Sequence, residues 1–188
     1  MPDHFARIGL PRQPWLDPEE LKARFLALSA EAHPDKATDK QNAETAFQAI
    51  NEAYNVLRHS RSRLLHLLEL EGAAKPAHVA TLPPVALELF TSIAEVTKRA
   101  DSLLKEKAAA NSPMLKVQFF QKAMDCVDAL QATQGEIQKR ISLIDAELNG
   151  AVANWKGSLP KLQEAAAALG FLEKWKAQLQ ERSTALTF

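Results

Sequence analysis

The residues best suited to chemistry are His33, Pro34 and Asp35, which stand together between two amphipathic segments. An ionised Asp35 can accept two parallel hydrogen bonds from an arginine of another protein, whereas His33 can donate or accept one. Pro34 fixes the chain direction, so both polar side chains would project from a rigid tip. Such a tip is suited to a contact with another protein. The alternative is that Pro34-Asp35 only forms a turn and that His33 only ends a helix.

Other reactive side chains are few. The five histidines lack the spacing and the associated carboxylates of a metal site. Cys126 is the only cysteine, which excludes an intramolecular disulfide and a Cys-based metal ligand set within one chain, and we expect it to be a buried, inert thiol in a reducing compartment. The sequence has no glycine loop that could cradle a phosphate. We therefore predict no catalytic residues, no metal and no cofactor.

Charge and hydropathy narrow the class of protein further. The chain has 188 residues, with 23 Lys and Arg against 23 Asp and Glu. A net charge of zero removes the usual electrostatic reason to expect nucleic acid or an anionic membrane as a partner. The N-terminus lacks the pattern of a signal peptide, and no apolar stretch approaches membrane-spanning length. We expect a cytoplasmic monomer.

Helices must position the tripeptide, because helix-forming residues are abundant in this sequence. Apolar residues recur at spacings of three and four, and no segment alternates apolar and polar residues as a half-buried strand does. Asp17, Pro18 and Glu20 form a helix-start signal, and Pro34 ends that helix. A second helix is predicted over residues 41–58, antiparallel to the first. A third, over residues 61–70, is apolar on more than one side, so it should be buried on two faces.

The second half of the chain predicts a linker and then three helices. Pro76, Pro83 and Pro84 mark a linker over residues 73–84. Helices are expected over residues 85–110, from Pro113 to about Leu148, and over residues 158–186, which together make an antiparallel three-helix bundle. The apolar seam of the long helix is predicted at Val117, Phe120, Met124, Val127, Gln134, Ile137, Ile141, Ile144 and Leu148. The last helix should turn inward Leu162, Leu169, Leu172, Trp175, Leu179 and Leu186.

The N-terminal segment resembles a J-domain, the helical hairpin by which co-chaperones stimulate an ATP-driven chaperone of the seventy-kilodalton heat-shock family. The resemblance rests on the tripeptide with Lys36, and on the following Phe47 and Ile50-Asn51-Glu52-Ala53-Tyr54. More narrowly, the chain is similar to the HscB type, the J-protein of iron–sulfur cluster assembly. That likeness rests on the stretches Leu57-Arg58-His59, Arg63, Leu67-Leu68-Glu69-Leu70-Glu71-Gly72, Leu82-Pro83-Pro84 and Leu169-Gly170-Phe171-Leu172-Glu173-Lys174.

The HscB resemblance implies an all-α, L-shaped molecule. Residues 1–72 would form the J-domain, residues 73–84 a linker, and residues 85–188 a client-binding three-helix bundle. The doubly apolar third helix suggests a rigid junction, in which Leu64, Leu65 and Leu68 pack the J-domain against one end of the bundle.

The resemblance also implies the residues that bind the chaperone, an HscA/DnaK-class protein that would itself hydrolyse the ATP. These residues are His33, Pro34, Asp35, Lys36, Lys22 and Arg24. Residues 1–72 carry nine basic and eleven acidic side chains, a net charge of −2, which predicts weak electrostatic steering. The alternative for Lys22 and Arg24 is that they belong only to a solvated helix face.

The client implied by the resemblance is the scaffold protein on which the iron–sulfur cluster is assembled. Its candidate contacts are Leu87, Phe90, Glu95 and Phe171. The family's Leu-Met-Glu pattern reads Leu87-Glu88-Leu89 here. Most of the acidic residues that should follow this pattern are missing, which leaves Glu95. Bundle core is the alternative for the three apolar candidates. A J-protein with another client, or a purely structural helical adaptor, also stays open.

Overall fold

The structure is a computed structural model that describes residues 2–32, 39–73, 83–109 and 113–187. These residues contain helices and no strand, which confirms the all-α prediction. The helices are α1 (His4–Ile8), α2 (Pro18–Glu31), α3 (Lys40–Leu57), α4 (Ser60–Leu70), α5 (Pro84–Ala109), α6 (Pro113–Gly150) and α7 (Leu159–Thr187), with a 3-10 turn at Trp155–Ser158 before α7.

Local capping explains where the first helices begin. Asp17 lies in extended geometry before α2, and its carboxylate accepts hydrogen bonds from the backbone N–H groups of Glu19 (2.8 Å) and Glu20 (3.0 Å). Asp3 caps α1 and Asp39 caps α3 in the same way. The start predicted at Asp17 and Pro18 is confirmed, because a cap and a proline at the first helical position act locally.

The N-terminal helices pack around α3. The rings of Phe25 on α2 and Tyr54 on α3 stack with centroids 4.2 Å apart, which joins the two helices into a hairpin. Helices α1 and α4 also pack on α3. The third predicted apolar segment is α4, and its buried leucines confirm that it lies in the core. The fully buried large side chains of these helices are Phe5, Ile8, Leu57, Leu64, Leu67 and Leu68.

The chain divides into two compact units that do not coincide with the predicted domains. One unit holds residues 1–78 together with residues 144–167, and the other holds residues 79–143 together with residues 168–188. The ends of α6 and α7 nearest their connecting turn therefore belong to the first unit. The predicted ranges 1–72, 73–84 and 85–188 stay predictions, and most of the predicted linker, residues 74–82, lies outside the described residues.

In the second unit, α6 buries a different face from the predicted one. Val117 and Phe120 are 72% and 65% exposed, and Met124 is also exposed, so their assignment to the seam is wrong. The buried positions of this stretch are Ala123, Cys126 and Leu130, together with the predicted Val127. Two of them carry small side chains, whereas the sequence pattern followed the larger apolar residues. The predicted seam is confirmed at Val127 and Ile137, and at Ile144 and Leu148 in the first unit, whereas Gln134 and Ile141 are only half-buried.

Candidate functional site

The tripeptide and its neighbour, His33, Pro34, Asp35 and Lys36, lie outside the described residues. The structure does describe the helices on both sides of them. Helix α2 ends at Glu31, with Ala32 as its C-cap, and α3 begins at Lys40 after the capping residue Asp39. The Phe25–Tyr54 stack joins these two helices, at a point near the end of α3 that is far from the loop.

Lys22 and Arg24 are both exposed on α2, but they do not form one basic surface. Two residues along a helix turn the side-chain direction by about 200°, so the two cations project from nearly opposite sides. Lys22 shares its side of α2 with Leu26, one turn further on, which is also exposed. A partner that contacts α2 from one direction would therefore meet only one of the two predicted cations.

Arg63 is a buried cation on the otherwise leucine-rich α4, and the sequence analysis assigned it no role. Its guanidinium donates to the carbonyl oxygens of Pro14 (2.9 Å) and Leu57 (2.8 Å) and to Ser60 Oγ (3.2 Å). Burial lowers the pKa of Arg63 to about 10, and the nearby Asp145 carboxylate opposes that shift. Arg63 therefore stays charged at neutral pH and ties α4 to the chain before α2 and to the end of α3.

Replacing Arg63 by alanine should lower the free energy of unfolding by about 3–5 kcal/mol, because buried carbonyl acceptors lose their donor. Urea unfolding followed by circular dichroism measures this. Arg24→Ala, which removes an exposed arginine, is the matched control and should change stability by less than about 0.5 kcal/mol. A loss below about 1 kcal/mol in Arg63→Ala would contradict the role given to this side chain.

His4 and His66 form a buried pair between α1 and α4. The backbone N–H of His4 donates to His66 Nε2 (3.1 Å), and the two ring centroids are 4.4 Å apart. Because Nε2 accepts, the neutral His66 ring carries its proton on Nδ1. Both Nδ1 atoms are buried without a hydrogen-bond partner. Burial is the largest cause that lowers the pKa of each histidine, and for His66 the neighbouring His4 lowers the pKa further.

These histidines should make the fold sensitive to acid. Their pKa values lie below 6.5 in the folded chain, so the unfolded chain takes up protons first as the pH falls. The free energy of unfolding should be constant with respect to these groups above about pH 7 and should fall as the pH drops below 6.5. Urea unfolding at pH 7.5 and 5.5 measures the difference, and His66→Gln, which does not titrate, should reduce it. If the free energy of unfolding of His66→Gln changes between the two pH values as much as that of the parent, His66 is not the cause of the acid sensitivity.

The predicted client residues on α5 do not share one side of that helix. Leu87 and Phe90 are 59% and 47% exposed, so the bundle-core alternative is wrong for both. Phe171 on α7 is half-buried. Glu95 is exposed, but five residues turn its direction by about 140° from that of Phe90. It lines a groove of α5 and α6 with Lys98, Arg99, Ser102, Leu103, Glu106 and Lys122.

Trp175 of α7 lies beside two of the predicted client residues, Phe90 and Phe171. Its ring centroid lies 6.4 Å from that of Phe90 and 5.9 Å from that of Phe171. The sequence analysis assigned Trp175 to the inward face, but its side chain is only half-buried. The spacing of one helical turn between Phe171 and Trp175 was the sequence signal that could have placed both at one surface. We call Phe90, Phe171 and Trp175 the aromatic cluster.

Neither a metal site nor a reactive thiol emerges from the described residues. They contain no group of three or more His, Cys, Asp or Glu side chains that could hold a metal ion. Cys126 is fully buried, as predicted, and burial raises the pKa of its thiol. Among the same residues, no helix is long and apolar enough to cross a membrane.

Comparison with known proteins first shows the class of protein to which the N-terminal helices belong. Residues 3–66 match the DnaJ domain family, so helices α1 to α4 form the J-domain of a co-chaperone. A co-chaperone protein HscB homolog of Acinetobacter baylyi is 30% identical over 152 residues, which cover 67% of this chain and 89% of that protein. The chain belongs to the HscB family of co-chaperones. The predicted resemblance is thereby confirmed.

A second relative matches part of the chain, and two solved structures share its fold. An HscB homolog of Acinetobacter baumannii is 39% identical over 69 residues, 37% of this chain and 40% of that protein. Chaperone HscB from Vibrio cholerae shares the fold, with a TM-score of 0.65 and 23% identity over 98% of this chain and 99% of that one. The human co-chaperone protein HscB aligns with a TM-score of 0.57 and 19% identity, over 96% and 82% of the two chains. These structures confirm the fold of a J-domain followed by a helical bundle.

Proposed function

We propose that this chain stimulates ATP hydrolysis by an HscA/DnaK-class chaperone and delivers the iron–sulfur scaffold protein to it. The observation that carries the proposal is the similarity to an HscB co-chaperone over 89% of that relative's length. In this proposal the chaperone hydrolyses the ATP, and the chain itself is not an enzyme. Its cytoplasmic location and monomeric state, predicted from the sequence, stay predictions.

The chaperone would bind at the loop between α2 and α3. Asp35 would accept hydrogen bonds from an arginine of the chaperone, while His33, Pro34 and Lys36 shape the tip. The support is the packing of α2 against α3, the two helices between which this loop lies. Lys22 and Arg24 point in different directions from α2, so we propose that at most one of them contacts the chaperone in a given pose.

The scaffold protein would bind at the bundle. Exposed Leu87 and Phe90 on α5, with Phe171 on α7, offer apolar side chains that the bundle leaves uncovered. Glu95 entered the predicted site through the family resemblance alone, and its position in the α5–α6 groove does not connect it with the aromatic cluster. We therefore place the scaffold contact on the side of α5 that faces α7.

Asp35→Asn should abolish most of the stimulation of ATP hydrolysis, because an amide cannot accept a charge-assisted pair of hydrogen bonds as a carboxylate does. We expect a decrease of about 10-fold or more in single-turnover hydrolysis by the chaperone. Asp39→Asn is the matched control, since it removes the same charge four residues away and asparagine caps a helix as well as aspartate. Full stimulation by a folded Asp35→Asn chain would contradict the mechanism.

Phe171→Ala should weaken binding of the purified scaffold protein by about 10-fold, because it removes an aromatic contact from the proposed surface. Isothermal titration calorimetry gives the affinity. Phe120→Ala is the matched control, since Phe120 is an exposed ring on α6 outside the aromatic cluster. If the parent chain stimulates the chaperone but binds no scaffold, the chain is a J-protein with another client.

A further inference from the structure

The aromatic cluster joins two helices through one residue. Trp175 on α7 contacts Phe90 across the boundary to α5, at 6.4 Å between ring centroids. It also contacts Phe171 one turn earlier on its own helix, at 5.9 Å. The ring planes are inclined by 50° and 44°, which is a tilted arrangement typical of favourable aromatic pairs. Trp175 is therefore the centre of the cluster.

The size and partial burial of Trp175 suit it to a protein interface. Its indole packs on its neighbours along one side while the side chain stays only half-buried. Tryptophan is enriched among the residues that dominate binding energy, because a large rigid ring loses little conformational entropy when a partner covers it. Phe90 on one flank is 47% exposed, so the apolar surface continues beyond the tryptophan.

Two carboxylates of α5 are paired with arginines away from the aromatic cluster. Glu88, beside Leu87 on α5, is paired with Arg140 of α6. Further along α5, Asp101 accepts two hydrogen bonds from the guanidinium of Arg182, at 2.8 and 3.3 Å. Both carboxylates are thus already matched by arginines within the bundle. Neither carboxylate is therefore part of the apolar surface that the cluster forms.

We propose that Trp175 is the central contact residue of the scaffold-binding surface, and that this surface binds an apolar segment of the scaffold protein largely without electrostatic attraction. The inference rests on the proposed function, since it specifies which residue and which kind of contact bind that client. It differs from the sequence-based prediction in two ways. Trp175 enters the site, and Glu95 has no part in client affinity.

The test measures the affinity of the full-length chain for the purified scaffold protein by isothermal titration calorimetry. Trp175→Ala should weaken binding by about 30-fold or more, and Trp175→Phe by a smaller factor because an apolar ring remains. Phe120→Ala and Glu95→Gln should each change the affinity by less than about 2-fold. Raising the salt concentration from 0.05 to 0.5 M should change the parent's affinity by less than about 3-fold, because screening acts only on charge.

Two further measurements distinguish the loss of a binding contact from a structural effect of the substitution. Trp175→Phe should keep the parent's stimulation of ATP hydrolysis and its circular dichroism spectrum. The change in tryptophan emission that the scaffold causes in the parent should be lost in Trp175→Phe, although Trp15 and Trp155 remain. A parent-like emission change in that variant would overturn the assignment.

The outcomes distinguish this inference from the function on which it rests. A parent chain that does not bind the scaffold at all would refute the proposed function together with this surface. A parent chain that binds the scaffold, while Trp175→Ala binds equally well, would refute only the role of Trp175. An affinity that falls steeply with salt, or that Glu95→Gln weakens, would refute the apolar nature of the contact.

Discussion

The buried guanidinium of Arg63 is the interaction on which the N-terminal unit depends. It donates to Pro14 before α2, to Leu57 at the end of α3 and to Ser60 at the start of α4. Ser60 in turn donates to Asp145 of α6, which belongs to the same compact unit. A single charged side chain thus links the J-domain helices with the end of the long bundle helix. Such a charge is costly to bury, and its three hydrogen-bond acceptors offset part of that cost.

The J-domain and the bundle would bind their proposed partners through different types of contact. The tripeptide would offer a carboxylate to an arginine, in a directional and charge-assisted contact. The aromatic cluster would offer half-covered rings, in an apolar contact. A co-chaperone with these two surfaces can distinguish its partners by the type of contact, so the client need not compete for the site of the chaperone.

The sequence predicted those features that local interactions determine. Asp17 and Pro18 begin α2 as expected, because a cap and a fixed φ angle act within one helical turn. It misjudged the side of α6 that is buried, since small Ala123 and Cys126 pack inside while large Phe120 lies outside. The half-buried position of Trp175 also depends on how α7 meets α5, which periodicity within one helix does not contain. The sequence indicated no contacts for His66 and Arg63, because their backbone partners at His4 and Pro14 lie far away along the chain.

The most direct test asks whether one chain must carry both surfaces. Single-turnover ATP hydrolysis by the chaperone would be measured with scaffold present, using an equal mixture of the Asp35→Asn chain and the Phe171→Ala chain. If a co-chaperone delivers its client by holding both partners at once, the mixture should stimulate hydrolysis no more than its Phe171→Ala component does alone. Stimulation by the mixture equal to that of the parent chain would contradict the account.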